Sequence, residues 1–371
     1  MKIIFWVLLT VFATVGYCQN STLEVGNKVG DLRVGKWIKG YPFKQFKKGK
    51  VYVLEFWSTW CLPCKAAMPH ISSLAQKYSD RVVITGINIR EKKNTSIETI
   101  SRFVENMGSK ILYNIVLEDE RYTQSDWIIA SGSQSYGIPI TFIINTDGRL
   151  AWIGNPSKLS DVLYKILNNQ WDLDKEIATR TEFKNLKKSE TQLRNKILSY
   201  IDDFPINMDI HKADSILSII DKDVRILPKL EYTPTTVFYK FLSLLITNSE
   251  EAYRYGQKVL CTILFDEPEY DQLIYVIEMY TGKLDIPIKI YRLGAEAYNI
   301  KINNYAYPEI MNIPRRYTQM AEMYWLAKDA KSAQISQLTA IKELKKREDF
   351  SMSELIEYEK KLKEYNINFN P

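Results

Sequence analysis

An α/β domain followed by an all-helical domain is the architecture this sequence predicts, and three observations predict it. Short apolar runs alternate with amphipathic stretches between residues 23 and 172. Twelve of the fifteen glycines lie before residue 173, and only Gly256, Gly282 and Gly294 follow it. Beyond residue 173, apolar residues recur at three- and four-residue spacing with no hairpin signal between them. Alternation of strand and helix implies parallel pairing in the first part, while the period of the second implies helices packed in antiparallel pairs. A chain of 371 residues fits two domains more readily than one. Its net charge of +6 is mild and no polybasic tract occurs, so no nucleic-acid partner is expected.

The chain opens with Met1-Lys2 and a largely apolar run over 3–15. That run is shorter than the roughly 20 residues of a membrane span, and the small residues Gly16 and Cys18 stand two apart, as a cleaving peptidase requires. Residues 1–18 therefore read as a signal peptide, with Gln19 as the mature N-terminus and export to the periplasm or cell envelope. The rival reading is a lipoprotein anchored at Cys18, against which stands the bulky Tyr17. Cleavage leaves Cys61, Cys64 and Cys261, an odd number that is no disulfide scaffold. Cys261, within Val259-Leu260-Cys261-Thr262-Ile263-Leu264, reads as a small buried hydrophobe.

Between 23 and 172 the β-branched and aromatic runs predict strands at 51–57, 82–89, 113–117, 140–145 and 149–153. Amphipathic periodicity predicts helices at about 62–78, 95–107, 121–131 and 158–168. Thr146-Asp147-Gly148-Arg149 carries the Asp-Gly hairpin signal, so the last two strands should be antiparallel. A mixed central sheet flanked by helices follows. Over 173–371, Pro205, Pro228, Pro234, Pro268, Pro287, Pro308 and Pro314 punctuate eight to ten short helices. Tyr317 to Leu344 has the look of a tetratricopeptide repeat, with Tyr324-Trp325-Leu326-Ala327, a turn at Lys328-Asp329, and Ala333 and Ala340 seven apart. No regular period of about 34 residues extends it, and an irregular helical bundle is the alternative.

The chemistry concentrates at Trp60-Cys61-Leu62-Pro63-Cys64, directly after the first strand. Cys61 is expected at a helix N-cap, where unpaired N–H groups and the helix dipole favour a thiolate, which makes it the attacking sulfur. Cys64, one turn in, is placed to displace the mixed disulfide. Pro63 suits the first turn, where its missing N–H is no loss. Pro69 falls inside the same helix and is expected to kink it.

The run Glu55-Phe56-Trp57-Ser58-Thr59-Trp60-Cys61-Leu62-Pro63-Cys64-Lys65, with Pro69, resembles the active site of the thioredoxin superfamily, and most of all its exported TlpA/ResA-type thiol-disulfide oxidoreductases. Gly49-Lys50-Val51 and Gly137-Ile138-Pro139-Ile140-Thr141-Phe142 extend the likeness, which covers about residues 30 to 170. The resemblance implies a thioredoxin fold and reduction of disulfides in envelope proteins. It also implies a membrane-associated electron donor and no cofactor beyond the Cys61–Cys64 disulfide. It makes Pro139 a cis proline beside the cysteines, Ile138 the residue whose backbone pairs with substrate, and Trp60 and Pro63 part of the substrate-facing surface. Glu55 stands where thioredoxins keep a buried acid; a lone carboxylate in an apolar strand should have a raised pKa and could accept the Cys64 proton. Leu62 departs from the family's usual residues between the cysteines, which bears on redox direction.

Other readings of the pair fit less well. Structural zinc needs a second set of Cys or His ligands, and the chain holds only His70 and His211, with His70 expected to face solvent. A peroxiredoxin site would place Thr and Pro where Ser58 and Leu54 stand. A disulfide oxidase or isomerase would use the same residues, and a non-catalytic envelope module binding through the helical half is the reading from a different class.

Overall fold

A computed structural model of the chain describes residues 22–133, 137–201, 209–264, 269–304, 312–347 and 350–367. The expected signal peptide 1–18, Cys18 included, lies outside them, as do Pro205, Pro268 and Pro308. Two compact units divide between Asp174 and Lys175.

In the first unit, β1 (Trp37–Lys39), β2 (Val51–Trp57), β3 (Val82–Asn88), β4 (Asn114–Leu117), β5 (Ile140–Ile144) and β6 (Leu150–Gly154) form one sheet in the order β1-β4-β3-β2-β5-β6. β2, β3 and β4 are parallel, and the other pairs are antiparallel. The parallel pairs need crossovers, which α1 (Leu62–Lys77) and α2 (Ile97–Met107) supply, while α3 (Leu159–Leu167) follows β6. This is the thioredoxin arrangement of a mixed sheet with flanking helices. All seven residues of the central β2 are buried, which is why its sequence reads as a continuous apolar run rather than an alternation. The β5–β6 hairpin turns where Asp-Gly placed it. Gly148 takes φ +74°, and Asn145 Oδ1 accepts from the backbone N–H groups of Asp147 and Arg149, each at 3.0 Å.

The sheet's two faces differ. On one, Phe142 packs between Phe56 and Trp127, with ring centroids 5.3 and 5.6 Å away, and Phe46 lies against Trp127 and Tyr52. On the other, Trp57 stacks on Phe103 of α2 at 5.6 Å, and the Lys65 ammonium of α1 lies over the same ring. Glu55, two residues from Trp57, shares this second face.

Two elements differ from expectation. β1 is three residues long with an irregular register against β4, too short to carry a periodic signal. The helix expected over 121–131 is confined to residues 123–129, most of it a single π-helical turn at Ser125–Ile129. Ser125 Oγ bonds to Tyr122 O and Ser131 Oγ to Trp127 O, so hydroxyls compete for the local carbonyls.

The second unit is helical, with nine α-helices among the described residues. They are α4 (Leu173–Tyr200), α5 (Ile210–Ile226), α6 (Pro234–Thr247), α7 (Ser249–Cys261), α8 (Tyr270–Tyr280), α9 (Ile288–Asn304), α10 (Ile313–Leu326), α11 (Ala330–Leu344) and α12 (Met352–Ile367). Not all are short: α4 runs 28 residues with neither proline nor glycine to stop it. Pro234 and Pro314 open helices, where a missing N–H leaves no bond unmade. Ile197, Ile216, Phe241, Leu273 and Leu293 are among the fully buried residues of the core. Gly256 persists in α7 because a Cβ there would meet Leu293 Cδ2 at 2.3 Å. α10 and α11 form a helical hairpin whose turn places Lys328 at φ +59° and whose Ala321, Ala333 and Ala340 are fully buried.

Cys261 corrects the sequence reading, because it is exposed. The buried positions of α7 are Ala252, Tyr255, Gly256, Val259 and Leu260, and the next residue turns about 100° away from that stripe.

Candidate active site

The redox loop leaves β2 at its C-terminal end and becomes α1 within four residues. Cys61 is the N-cap with φ −79° and ψ 103°, and its Sγ accepts from Cys64 N–H at 3.2 Å. Cys61 N–H donates to Ser58 O at 3.1 Å, closing the turn that delivers the cysteine to the helix. Cys61 and Cys64 are joined as a disulfide, with Cα atoms 5.3 Å apart. Cys61 is 3% exposed and Cys64 is 0% exposed, so both are buried and the first lies nearer the surface. Pro63 occupies the first turn, and α1 continues through Pro69. Trp60 and Leu62, on either side of Cys61, are 44% and 57% exposed. His70 is exposed and bonds Ser160 Oγ at 3.0 Å.

Pro139 is buried and its bond to Ile138 is cis. Ile138 O lies 3.7 Å from Cys61 Sγ, so the segment entering β5 borders the disulfide although 77 residues separate it from Cys61. The structure therefore brings Trp60, Cys61, Pro63, Cys64, Ile138 and Pro139 to one place.

Glu55 lies deeper, in the middle of β2 between Gly86 of β3 and Thr141 of β5, and is fully buried. Its carboxyl oxygens accept no hydrogen bond from the described residues, and neither cysteine is bonded to it. Loss of solvent alone pushes its pKa up to about 8, because burial penalises the charged form. At neutral pH the side chain is mostly a neutral acid that can exchange its proton. Gly86 opposite it leaves space that the aromatic neighbours fill: a Cβ there would come within 3.0 Å of both Trp57 Nε1 and Tyr113 Cε2.

The sequence reading missed the segment that leaves β3. Glu91 Oε1 accepts from Thr59 N–H at 2.6 Å and from Asn88 Nδ2 at 2.7 Å, and its Oε2 accepts from Thr59 Oγ1 at 2.7 Å. Trp60 Nε1 donates to Arg90 O at 2.8 Å, and Ser58 Oγ donates to Ile89 O. β2 and β3 are parallel neighbours, so their C-terminal ends lie side by side, and such ends are where open α/β sheets gather their sites. A polar pair directly after an apolar strand was the available signal.

Residues 25–153 match the AhpC/TSA family. Protein FixW of Rhizobium leguminosarum is 31% identical over 156 residues, which span 41% of this chain and 69% of FixW. Thiol-disulfide oxidoreductase ResA of Geobacillus kaustophilus (strain HTA426) is 26% identical over 156 residues, 40% of this chain and 82% of ResA. Thiol:disulfide interchange protein DsbE of Pasteurella multocida (strain Pm70) is 33% identical over 110 residues, 30% of this chain and 53% of DsbE. The family match ends before the helical unit begins.

Proposed function

Since the chain belongs to the AhpC/TSA family and is a thioredoxin-like thiol-disulfide oxidoreductase, we propose that it reduces protein disulfides in the cell envelope, with Cys61 attacking and Cys64 resolving. The observation that carries the assignment of roles is the asymmetry of the pair: Cys61 is the N-cap of α1 and keeps a trace of exposure beside the exposed Trp60 and Leu62, while Cys64 is fully enclosed.

In the reduced protein the Cys61 thiolate, favoured by the N–H of Cys64 and the start of α1, attacks one sulfur of a client disulfide. A Cys61–client bond forms, the client's S–S bond breaks and its other sulfur leaves as a thiolate. Cys64 then loses its proton to the ionised fraction of Glu55, which grows as pH approaches 8, and attacks Cys61 Sγ. The client's second thiolate departs, and the Cys61–Cys64 disulfide forms. The client has gained two electrons and the protein has lost two, so the redox group is the disulfide itself and no cofactor is required. A membrane-associated dithiol donor returns the electrons. Ile138 supplies the backbone that pairs with the client segment, Pro139 sets its position, and Trp60 and Pro63 border the docking surface.

The N-terminal leader read from the sequence supports export, and the described residues hold no helix long and apolar enough to cross a membrane. The α10–α11 hairpin supports a tetratricopeptide-like reading of the second unit. The Cys64→Ser protein should trap clients as mixed disulfides through Cys61, seen as thiol-sensitive bands on a gel. Equal trapping by Cys61→Ser would overturn the assignment of roles.

A further inference from the structure

Three successive residues of the redox loop are tied to three successive residues leaving β3. Ser58 bonds Ile89, Trp60 bonds Arg90, and Thr59 bonds Glu91 through both its N–H and its hydroxyl. The template is itself held from behind. Arg90, a non-glycine residue at φ +55°, is fixed by its N–H to Glu118 Oε1 at 2.8 Å and by its Nε to Gln124 Oε1 at 3.0 Å. Gln124 Nε2 in turn donates to Glu118 Oε2 at 2.7 Å. A left-handed conformation is unfavourable for an arginine and persists only where surrounding bonds enforce it.

Within this arrangement Glu91 accepts three hydrogen bonds, two of them from Thr59. Bonds to a carboxylate are roughly twice as strong as neutral ones. Both donor groups of Thr59, its N–H and its hydroxyl, are taken by Glu91, and the next residue, Trp60, is 44% exposed beside Cys61. The Cys61 sulfur is held differently, by Cys64 N–H within α1 and by the start of that helix. The indole's own bond to Arg90 O orients the Trp60 ring and the Glu91 bonds fix the residue before it, and neither is the device that favours the thiolate.

We propose that Glu91 is a positioning residue for client recognition, holding Thr59 so that the Trp60 indole presents a fixed surface to protein disulfides; this rests on the reading of Cys61 as the attacking sulfur. A folded client must dock against that surface, whereas a small aromatic disulfide reaches Cys61 without it. Loss of orientation in a docking contact is paid in the rate of the step that follows docking.

The test compares second-order reduction rates of the full chain toward a folded disulfide protein, insulin, and toward the small disulfide 5,5′-dithiobis(2-nitrobenzoate). Glu91→Ala should slow the insulin reaction about tenfold and leave the small-disulfide rate within about twofold, with Trp60 fluorescence anisotropy lowered. Glu91→Gln keeps an acceptor oxygen for Thr59 N–H and should recover most of the insulin rate. Thr59→Val, which removes only the hydroxyl bond, should lose about threefold toward insulin and guards against a fold defect in the alanine variant. Equal slowing toward both substrates, or an unchanged insulin rate, would overturn the proposal. A parent protein inactive toward both disulfides would instead remove the reading of Cys61 on which it rests.

Discussion

The two faces of the central sheet differ in what they bury: among the described residues, only one of them encloses a carboxyl. One face is an aromatic layer, Phe56, Phe142, Trp127 and Phe46, in which ring packs on ring. The other holds Glu55 and Thr141 side by side across β2 and β5, both fully buried, on the face where Trp57 meets Phe103 of α2. An apolar side chain at residue 55 would satisfy the fold better than an acid whose pKa is driven to about 8 by lack of solvent. The contrast teaches where stability is made and where it is given up. The aromatic face holds the sheet together, and the acidic face keeps a buried carboxyl in the strand that leads to the redox loop, at a cost to the folded state.

Breaking each face in turn tests that division. The largest change in stability is expected from Phe142→Ala, which empties a fully buried site between two aromatic rings and should cost about 3–5 kcal/mol by denaturant unfolding. The rate of mixed-disulfide resolution per folded molecule should stay within about twofold, because the residue lies across the sheet from Glu55.

Glu55→Gln should act in the opposite sense. In the unfolded chain the carboxyl ionises near its ordinary value of 4.5, while burial in the folded protein keeps the proton on until about pH 8. Between those values the folded state binds more protons, so the stability of the parent falls as pH rises through the window, and below pH 4.5 the group contributes no slope. The variant lacks this slope, and its advantage over the parent should grow by a few kcal/mol between pH 4.5 and pH 8. Resolution should slow on the order of a hundredfold, and the parent's rise in resolution rate toward pH 8 should disappear. Parallel stability profiles for the two proteins would show that residue 55 does not hold its proton through that range.

The redox loop was legible in the sequence because its chemistry fixes residue types at fixed spacing: a buried strand, two cysteines one helical turn apart, and a proline that fits a first turn. The β5–β6 hairpin was legible because Asp147-Gly148 supplies the backbone conformation that the turn demands. The buried acid was legible as a charge in an otherwise apolar run. Glu91 was not, since its role exists only when the ends of β2 and β3 lie side by side, and the bond it makes to Thr59 spans 32 residues of chain. β1 was lost for want of length. Residues 121–131 misled because their apolar pattern suits a helix while Ser125 and Ser131 bond the backbone carbonyls around them. In the helical unit the period gave the helices, but Cys261 shows its limit: one position along α7 separates the buried Leu260 from solvent.

The direction of electron flow is the centre of the account, and the midpoint potential of the Cys61–Cys64 pair tests it most directly. Equilibration with defined thiol buffers, followed by the fluorescence of Trp57 and Trp60, should give a value near or below about −270 mV, as a reductase fed by a donor requires. A midpoint near about −120 mV would contradict the account and make the protein a disulfide oxidant.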